Sequence, residues 1–413
     1  MNTQTPLEAD GNVRAGLPMP LWEFVPLIAG LMALNALAID IMLPALGNIS
    51  EHYQLAVENH QQWVIFAYVF GFGAPQLIFG PISDRFGRKG LLQICLIGYV
   101  LAGFLCMLTD SFTFLLIVRF IHGVFASGVR VIAVSIVRDL MAGRAMARVM
   151  SLVMTVFMVV PVLAPALGTA IMLVASWQWT FGLLAIAGLM MLVWVQVRLP
   201  ETLPGAARQP LSLHSTASAY WQVVTTRVTF GYMAASGVIF GALFAFIAAS
   251  EQVFSDVFGK HDSFALWFAG IAACLAVANF ANARIVERVG MRRISHIVMI
   301  AFVALSLINI AAMQLFDERL AIFYPLFGLT FACFGMMGAN FSALAMEPLG
   351  KIAGTASAAY GFATSTVASG FGYLVASRFD GTVTPVMLGF VGLGVISLSI
   401  ILVTERGRLF SRT

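Results

Sequence analysis

Apolar residues in this chain do not alternate with polar ones at the spacing of a half-buried strand. They run on for about 20 residues at a time, the length a helix needs to cross ~30 Å of hydrocarbon, with short polar breaks between runs. Twelve runs are readable: Phe24–Leu46, Trp63–Ile82, Gly90–Leu108, Phe112–Val137, Val149–Val174, Phe181–Val197, Val228–Ser250, Phe264–Ala283, Ile294–Phe316, Ala321–Met346, Thr355–Ala376 and Pro385–Val403. The pattern predicts an all-α membrane protein of twelve transmembrane helices. Composition strengthens this, because 60% of the 413 residues are hydrophobic and only 10% charged, against about a quarter charged in a soluble domain.

Charge placement gives an orientation, since basic residues are retained on the cytoplasmic side. With the N-terminus inside, eighteen of the 23 Lys and Arg residues fall on the cytoplasmic side, only Lys260, Arg319 and Arg378 on the other, and Arg119 and Arg130 within the fourth run. Both termini are therefore expected inside. The longest polar break on that side, residues 198–227, holds Pro200, Pro204 and Pro210 and divides the runs six and six. It reads as a cytoplasmic linker between bundles at 21–197 and 228–403, with tails at 1–20 and 404–413. The turn Gly80-Pro81-Ile82-Ser83-Asp84-Arg85-Phe86-Gly87-Arg88-Lys89 returns 203 residues later, in degraded form, as Ala283 to Arg292, with acid, base and second glycine aligned. Two parallel six-helix repeats would place each copy after the second helix of its half.

Other features narrow the chemistry. The net charge of +4 is dispersed rather than gathered on one face, which argues against nucleic acid. Cys95, Cys106, Cys274 and Cys333 lie in apolar runs without zinc or disulfide spacing, and the six histidines lack metal spacing. No metal or cofactor is expected. The first apolar run is too long for a cleaved leader and is expected to serve as its own insertion signal.

The turn carrying Gly80, Asp84, Arg85, Gly87, Arg88 and Lys89 resembles the loop between helices two and three of the major facilitator superfamily. Its glycines permit close approach and a tight turn, and its charges suit a gating ion-pair latch. Leu115 to Gly123, with Arg119 followed four residues later by glycine, resembles the family's fourth-helix motif, although His122 stands where glutamine is usual. Pro161 to Gly168 resembles the fifth-helix signature of antiporters through Pro161, Pro165 and Gly168, with Ala164 and Thr169 departing from it. Leu37 to Leu46, Ser176 to Phe181, Pro200 to Leu203 and Ala353 to Ala358 are similar to the bicyclomycin and chloramphenicol resistance subgroup of drug exporters. The resemblance spans nearly the whole chain and implies two pseudo-symmetric six-helix bundles.

A charge in hydrocarbon costs at least ~2.5 kcal/mol and persists where it is paired or faces the bundle interior. Of nineteen acidic residues only Asp40 lies well inside an expected helix. At ~1.5 Å per residue, Asp40 and Arg119 each lie roughly 10 Å from the same outer surface, so they share a level. Asp40 reads as the proton-exchanging group and Arg119 as the neighbour that sets its proton affinity; a static pair that orients helices is the alternative. Arg130, three turns beyond Arg119, faces the same way. Either it meets an anionic substrate group or an acid such as Asp139 or Glu347, or it extends to the inner surface. His122 reads as a relay or a hydrogen-bond partner of Arg119. Tyr68, Gln76, Tyr232, Phe240, Asn279, Asn340 and Tyr360 are weaker candidates for the substrate cavity, and Trp177 and Trp179 read as interfacial anchors.

Together these features lead to the expectation of a proton-coupled secondary transporter, monomeric and multi-pass in the bacterial inner membrane. It would export small amphipathic drugs by alternating access, with no cofactor beyond the proton gradient. A carrier of one metabolite, such as a sugar or nucleoside, is the alternative. An enzyme is not expected, because no nucleophile and base converge at one depth.

Overall fold

The computed structural model describes residues 19–57, 59–141, 143–208, 213–316 and 318–410. Residues 1–18 of the expected N-terminal tail and 411–413 of the C-terminal one lie outside that set. The chain is all helical: α1 Leu21–Asp40, α2 Leu46–His52, α3 Trp63–Gly73, α4 Gln76–Phe86, α5 Arg88–Leu108, α6 Phe112–Leu140, α7 Gly143–Val174 and α8 Trp179–Arg198 form its first half. The second half comprises α9 Leu213–Thr225, α10 Arg227–Gln252, α11 Phe264–Val289, α12 Met291–Leu315, α13 Leu320–Met346, α14 Ala353–Phe362, α15 Ala368–Ala376 and α16 Thr384–Thr404.

Among the described residues ten helices are long and apolar enough to cross a membrane, and eleven spans result if the bent pair α3 and α4 counts as one. The remaining expected run, Thr355–Ala376, is helical throughout, as α14, a π-turn at Ala363–Val367 and α15. Its small and hydroxyl residues leave it less apolar than the others. Lipid-facing helices show why the runs lack polar faces. On α5, Ile94, Ile97, Leu101, Phe104, Leu105 and Leu108 form an exposed stripe, while Cys95, Leu96, Tyr99, Ala102 and Cys106 are buried behind it. Both faces are apolar because one meets hydrocarbon and the other meets protein.

Three expected elements take a different form. The first run is not one helix, because α1 stops at Asp40 and a 3₁₀ turn at Leu43–Ala45 leads into α2. The second bends by 44° between α3 and α4, where Pro75 supplies no N–H to the ladder. The linker holds a helix, α9, whose Tyr220 hydroxyl donates to the Leu77 carbonyl of α4 at 2.8 Å. Its three prolines all precede α9, so nothing interrupts the helix itself. Residues 209–212 of the linker lie outside the described set.

The repeated turn is repeated in three dimensions. Gly87 and Gly290 hold φ of +100° and +90°, which a side chain would resist. Arg88 binds Asp84 and Asp139, each at 2.7 Å, while the Glu201 carboxylate accepts from the backbone N–H groups of Arg88 and Lys89 at 2.9 and 3.3 Å. In the second half Arg292 lies 3.7 Å from Glu347 and 3.1 Å from Glu405. In each half an acid at the end of one long helix and an acid just after another converge on the turn.

Candidate functional site: a buried acid at a helix break

The site follows from Pro44. A proline has no N–H for the carbonyl four residues back, and its ring collides with it; here that carbonyl belongs to Asp40. The last carbonyls of a helix lack donors of their own, so ending α1 inside the bundle leaves groups that neighbours must satisfy. Ile41 N–H takes the Leu37 carbonyl at 3.1 Å. Arg119 Nη2 takes the Ala38 carbonyl at 3.0 Å.

Arg119 is fully buried and its remaining groups are also engaged. Nε donates to the Val64 carbonyl at 3.0 Å, Nη1 lies 3.3 Å from His122 Nδ1, and the guanidinium carbon sits 4.4 Å from the centre of the Tyr68 ring. A cation at the C-terminal end of α1 complements that end's partial negative charge. Glycines bring the arginine into range: a Cβ on Gly123 would overlap the Tyr68 carbonyl, and one on Gly71 the Phe120 carbonyl. Thus α3 and α6 touch backbone to backbone, and Arg119 reaches Val64.

Asp40 is 4% exposed, and its carboxylate has no hydrogen bond or ion pair with any described residue. The predicted shared level holds, since Arg119 grips the carbonyl two residues before Asp40, but no bond joins the two charges. On its other side α7 lies directly on the break, because a Cβ on Gly168 would overlap the Ile41 carbonyl and touch Pro44. Pro165 is buried and Pro161 half-buried on the same helix. The Tyr68 hydroxyl donates to Asn35 Oδ1 and the Tyr99 hydroxyl to the Leu34 carbonyl, both at 3.0 Å. Against them lies the His122 ring, 4.1 Å from that of Tyr99; its Nε2 is buried without a hydrogen-bond partner among the described residues.

The other candidates divide into two groups. Arg130 donates to Gln76 Oε1 at 3.4 Å, and Gln76 Nε2 in turn donates to Ser365 Oγ of the second half at 3.3 Å. Tyr360 meets Ser236 at 3.0 Å, Phe240 packs edge-on to Phe334, and Asn279 Nδ2 reaches the Met158 sulfur across the halves at 3.7 Å. Asn340, by contrast, is tied to Asn282 of α11, and the Tyr232 hydroxyl is held by Glu405 at 2.8 Å and His296 at 3.2 Å. Of the two expected anchors, Trp177 is buried against the His52 and Tyr53 rings, while Trp179 is exposed.

One cluster is not foreseen from sequence. At the end of the bundle opposite the repeated turns, Gln62 Nε2 donates to Gln252 Oε1 at 2.8 Å and Gln252 Nε2 to Asn59 Oδ1 at 2.7 Å. Asn59 Nδ2 then donates to the Phe379 carbonyl at 2.9 Å. All three amides are buried, and together with the Trp63 ring, tilted 40° against that of Tyr373 at 4.2 Å, they join the two halves at that end. Amides flanking apolar runs are the signal that points to them.

Residues 28–373 match the family model described as Major Facilitator Superfamily. The chain is 30% identical over 341 residues to the uncharacterized MFS-type transporter YdgK of Bacillus subtilis, covering 81% of this chain and 84% of that one. It is 29% identical to a bicyclomycin resistance protein homolog of Haemophilus influenzae, covering 91% and 94%. Among solved structures, a bacterial homolog of the human lysosomal transporter Spinster, in an inward-facing and occupied conformation, superposes with a TM-score of 0.72 at 14% identity over 98% of each chain. Fold, motifs and relatives therefore agree that the chain belongs to the Major Facilitator Superfamily, as a multi-pass transporter resembling the bicyclomycin resistance subgroup, and not an enzyme.

Proposed function

We propose that this protein is a proton-coupled exporter of small amphipathic drugs, built as two six-helix bundles at residues 21–197 and 228–403 with both termini in the cytoplasm. The observation that carries the reading is Asp40: a lone buried carboxylate at a break in α1, level with a buried arginine and covered by the antiporter-like α7. An acid in that setting is functional by default. Arg119 fixes the end of α1 and lends positive potential without taking the carboxylate for itself, which leaves Asp40 available to bind and release a proton.

In this reading the amide cluster Asn59, Gln62 and Gln252 closes the outer end, and the repeated turns stiffen the cytoplasmic ends of the two bundles. Proton movement down the membrane potential supplies ~2.3 kcal/mol per 100 mV per charge. A relative named for bicyclomycin resistance supports a drug as cargo. The protein acts as a monomer in the bacterial inner membrane.

The test is substrate-driven proton flux in proteoliposomes with an internal pH dye and a panel of antibiotics. Asp40→Asn is expected to insert and fold normally while coupled flux falls to background. Coupled flux equal to wild type in that variant would overturn the assignment of Asp40.

A further inference from the structure

α6 carries two arginines within its apolar stretch, and the structure treats them differently. Arg119 spends its donors on two backbone carbonyls and His122. Arg130, with five N–H donors, has one hydrogen bond among the described residues, to Gln76 Oε1 at 3.4 Å. Its guanidinium carbon also lies 5.6 Å from the centre of the Phe72 ring. The two acids that sequence offered as partners are engaged elsewhere: Asp139 is bound by Arg88 at 2.7 Å, and Glu347 lies 3.7 Å from Arg292. Asp40 belongs to the level of Arg119, about three turns away along the helix. Arg130 itself is half-buried, and its guanidinium meets Gln76, a residue 3% exposed.

That position is the seam between the halves. Gln76 turns its oxygen to Arg130 and its nitrogen to Ser365, which lies in the π-turn Ala363–Val367 of the second half. π-turns frequently mark functional sites. A half-buried cation is thus held beside an aromatic face at the seam between the halves, without a carboxylate of its own among the described residues.

We propose that Arg130 is the recognition point for a carboxylate on the transported molecule, so that the cargo class is an amphipathic organic acid with an apolar body for Phe72. The planar guanidinium fork matches a carboxylate bidentately, and the cargo supplies the counter-charge the protein omits. This rests on the transport reading but not on proton coupling or on Asp40.

The experiment measures binding to the full-length protein in nanodiscs by tryptophan fluorescence, with matched probes: nalidixate and its ethyl ester, benzoate and methyl benzoate. Wild type is expected to bind each acid about tenfold or more tighter than its ester, as a charge-assisted contact implies. Arg130→Gln should abolish that preference while leaving ester affinity and melting temperature unchanged, and Arg130→Lys should retain part of it. Equal binding of acid and ester by wild type overturns the proposal whether or not the glutamine variant folds. So does an unchanged acid preference in Arg130→Gln, or a loss that affects acid and ester alike, which would make Arg130 a prop for Gln76. If Arg130 selects acids but substrate-driven proton flux is absent, the coupled-exporter reading fails and the anion site stands. If flux is coupled but wild type binds acid and ester alike, the coupled-exporter reading stands and the anion site fails.

Discussion

Arg119 and Asp40 show how much one proline changes the meaning of its neighbours. The residue pair is readable from sequence because charges in an apolar run are rare and these two share a depth. What Arg119 binds is not readable that way, since the Ala38 carbonyl becomes available only because α1 ends two residues later. Pro44 is the signal for that break, lying four residues after Asp40. Arg119→Ala would leave the Ala38 and Val64 carbonyls without their arginine donor in a buried site, at about 1–3 kcal/mol for each group left unsatisfied. A lower melting temperature in detergent is therefore expected, and one equal to wild type would show that the carbonyls find other donors. Arg119→Lys keeps the charge but not the fork that serves two carbonyls at once, so it should recover part of the lost stability at most.

At the scale of elements, small residues and breaks matter more than apolarity. Gly168 illustrates the first: the sequence marks it as part of an antiporter-like motif, and the structure shows α7 resting on the Ile41 carbonyl at that point. Gly168→Leu forces α7 away from the break, at about 1–3 kcal/mol for overpacking. Transport by this variant is expected to fall at least tenfold while membrane insertion persists, measured as drug accumulation in cells matched for protein level; unchanged accumulation would mean that α7 does not shape the site. Breaks are harder to foresee. A sliding count of apolar residues carries α1 on through the 3₁₀ turn to Leu46 and merges α3 with the first part of α4, because these stretches are continuous in hydropathy and interrupted only in backbone geometry. The reverse applies to Ala353–Ala376, where the helix is regular save for a π-turn but small and hydroxyl residues dilute the apolar signal.

At the scale of the molecule the two halves meet through chemistry different from that within them. Inside each half, Arg88 with Asp139 and Arg292 with Glu405 are ion pairs. Across the seam the hydrogen bonds include those of amides and hydroxyls: Gln62 with Gln252, Gln76 with Ser365 and Asn59 with the Phe379 carbonyl. Neutral hydrogen bonds are individually worth about 0.5–1.5 kcal/mol, weak enough to exchange in the alternating access proposed above. Cysteines at positions 62 and 252, introduced after replacing the four native ones, should be joined by a short bismaleimide. Turnover is then expected to stop while binding from the turn side continues. Full turnover of the crosslinked protein would show that this end does not open during transport.

The sequence alone determined the class of solvent, the all-helical class, the approximate position of each membrane-length apolar run, the repeated turn and the identity of the two deep charges Asp40 and Arg119. Each of these is a local quantity: about 20 apolar residues cross a bilayer whatever their neighbours, and an ionisable residue within them is conspicuous by composition. Only the tertiary structure decided what each charge touches. Arg119 caps a helix end rather than binding Asp40, the Asp40 carboxylate stays unpaired among the described residues, the expected acids are taken by Arg88 and Arg292, and Arg130 turns toward Gln76 at the seam. Those outcomes depend on helix rotation and on where helices stop. Rotation is set by which glycines let backbones touch and stopping by where a proline withholds a donor, and both act between segments far apart in the chain.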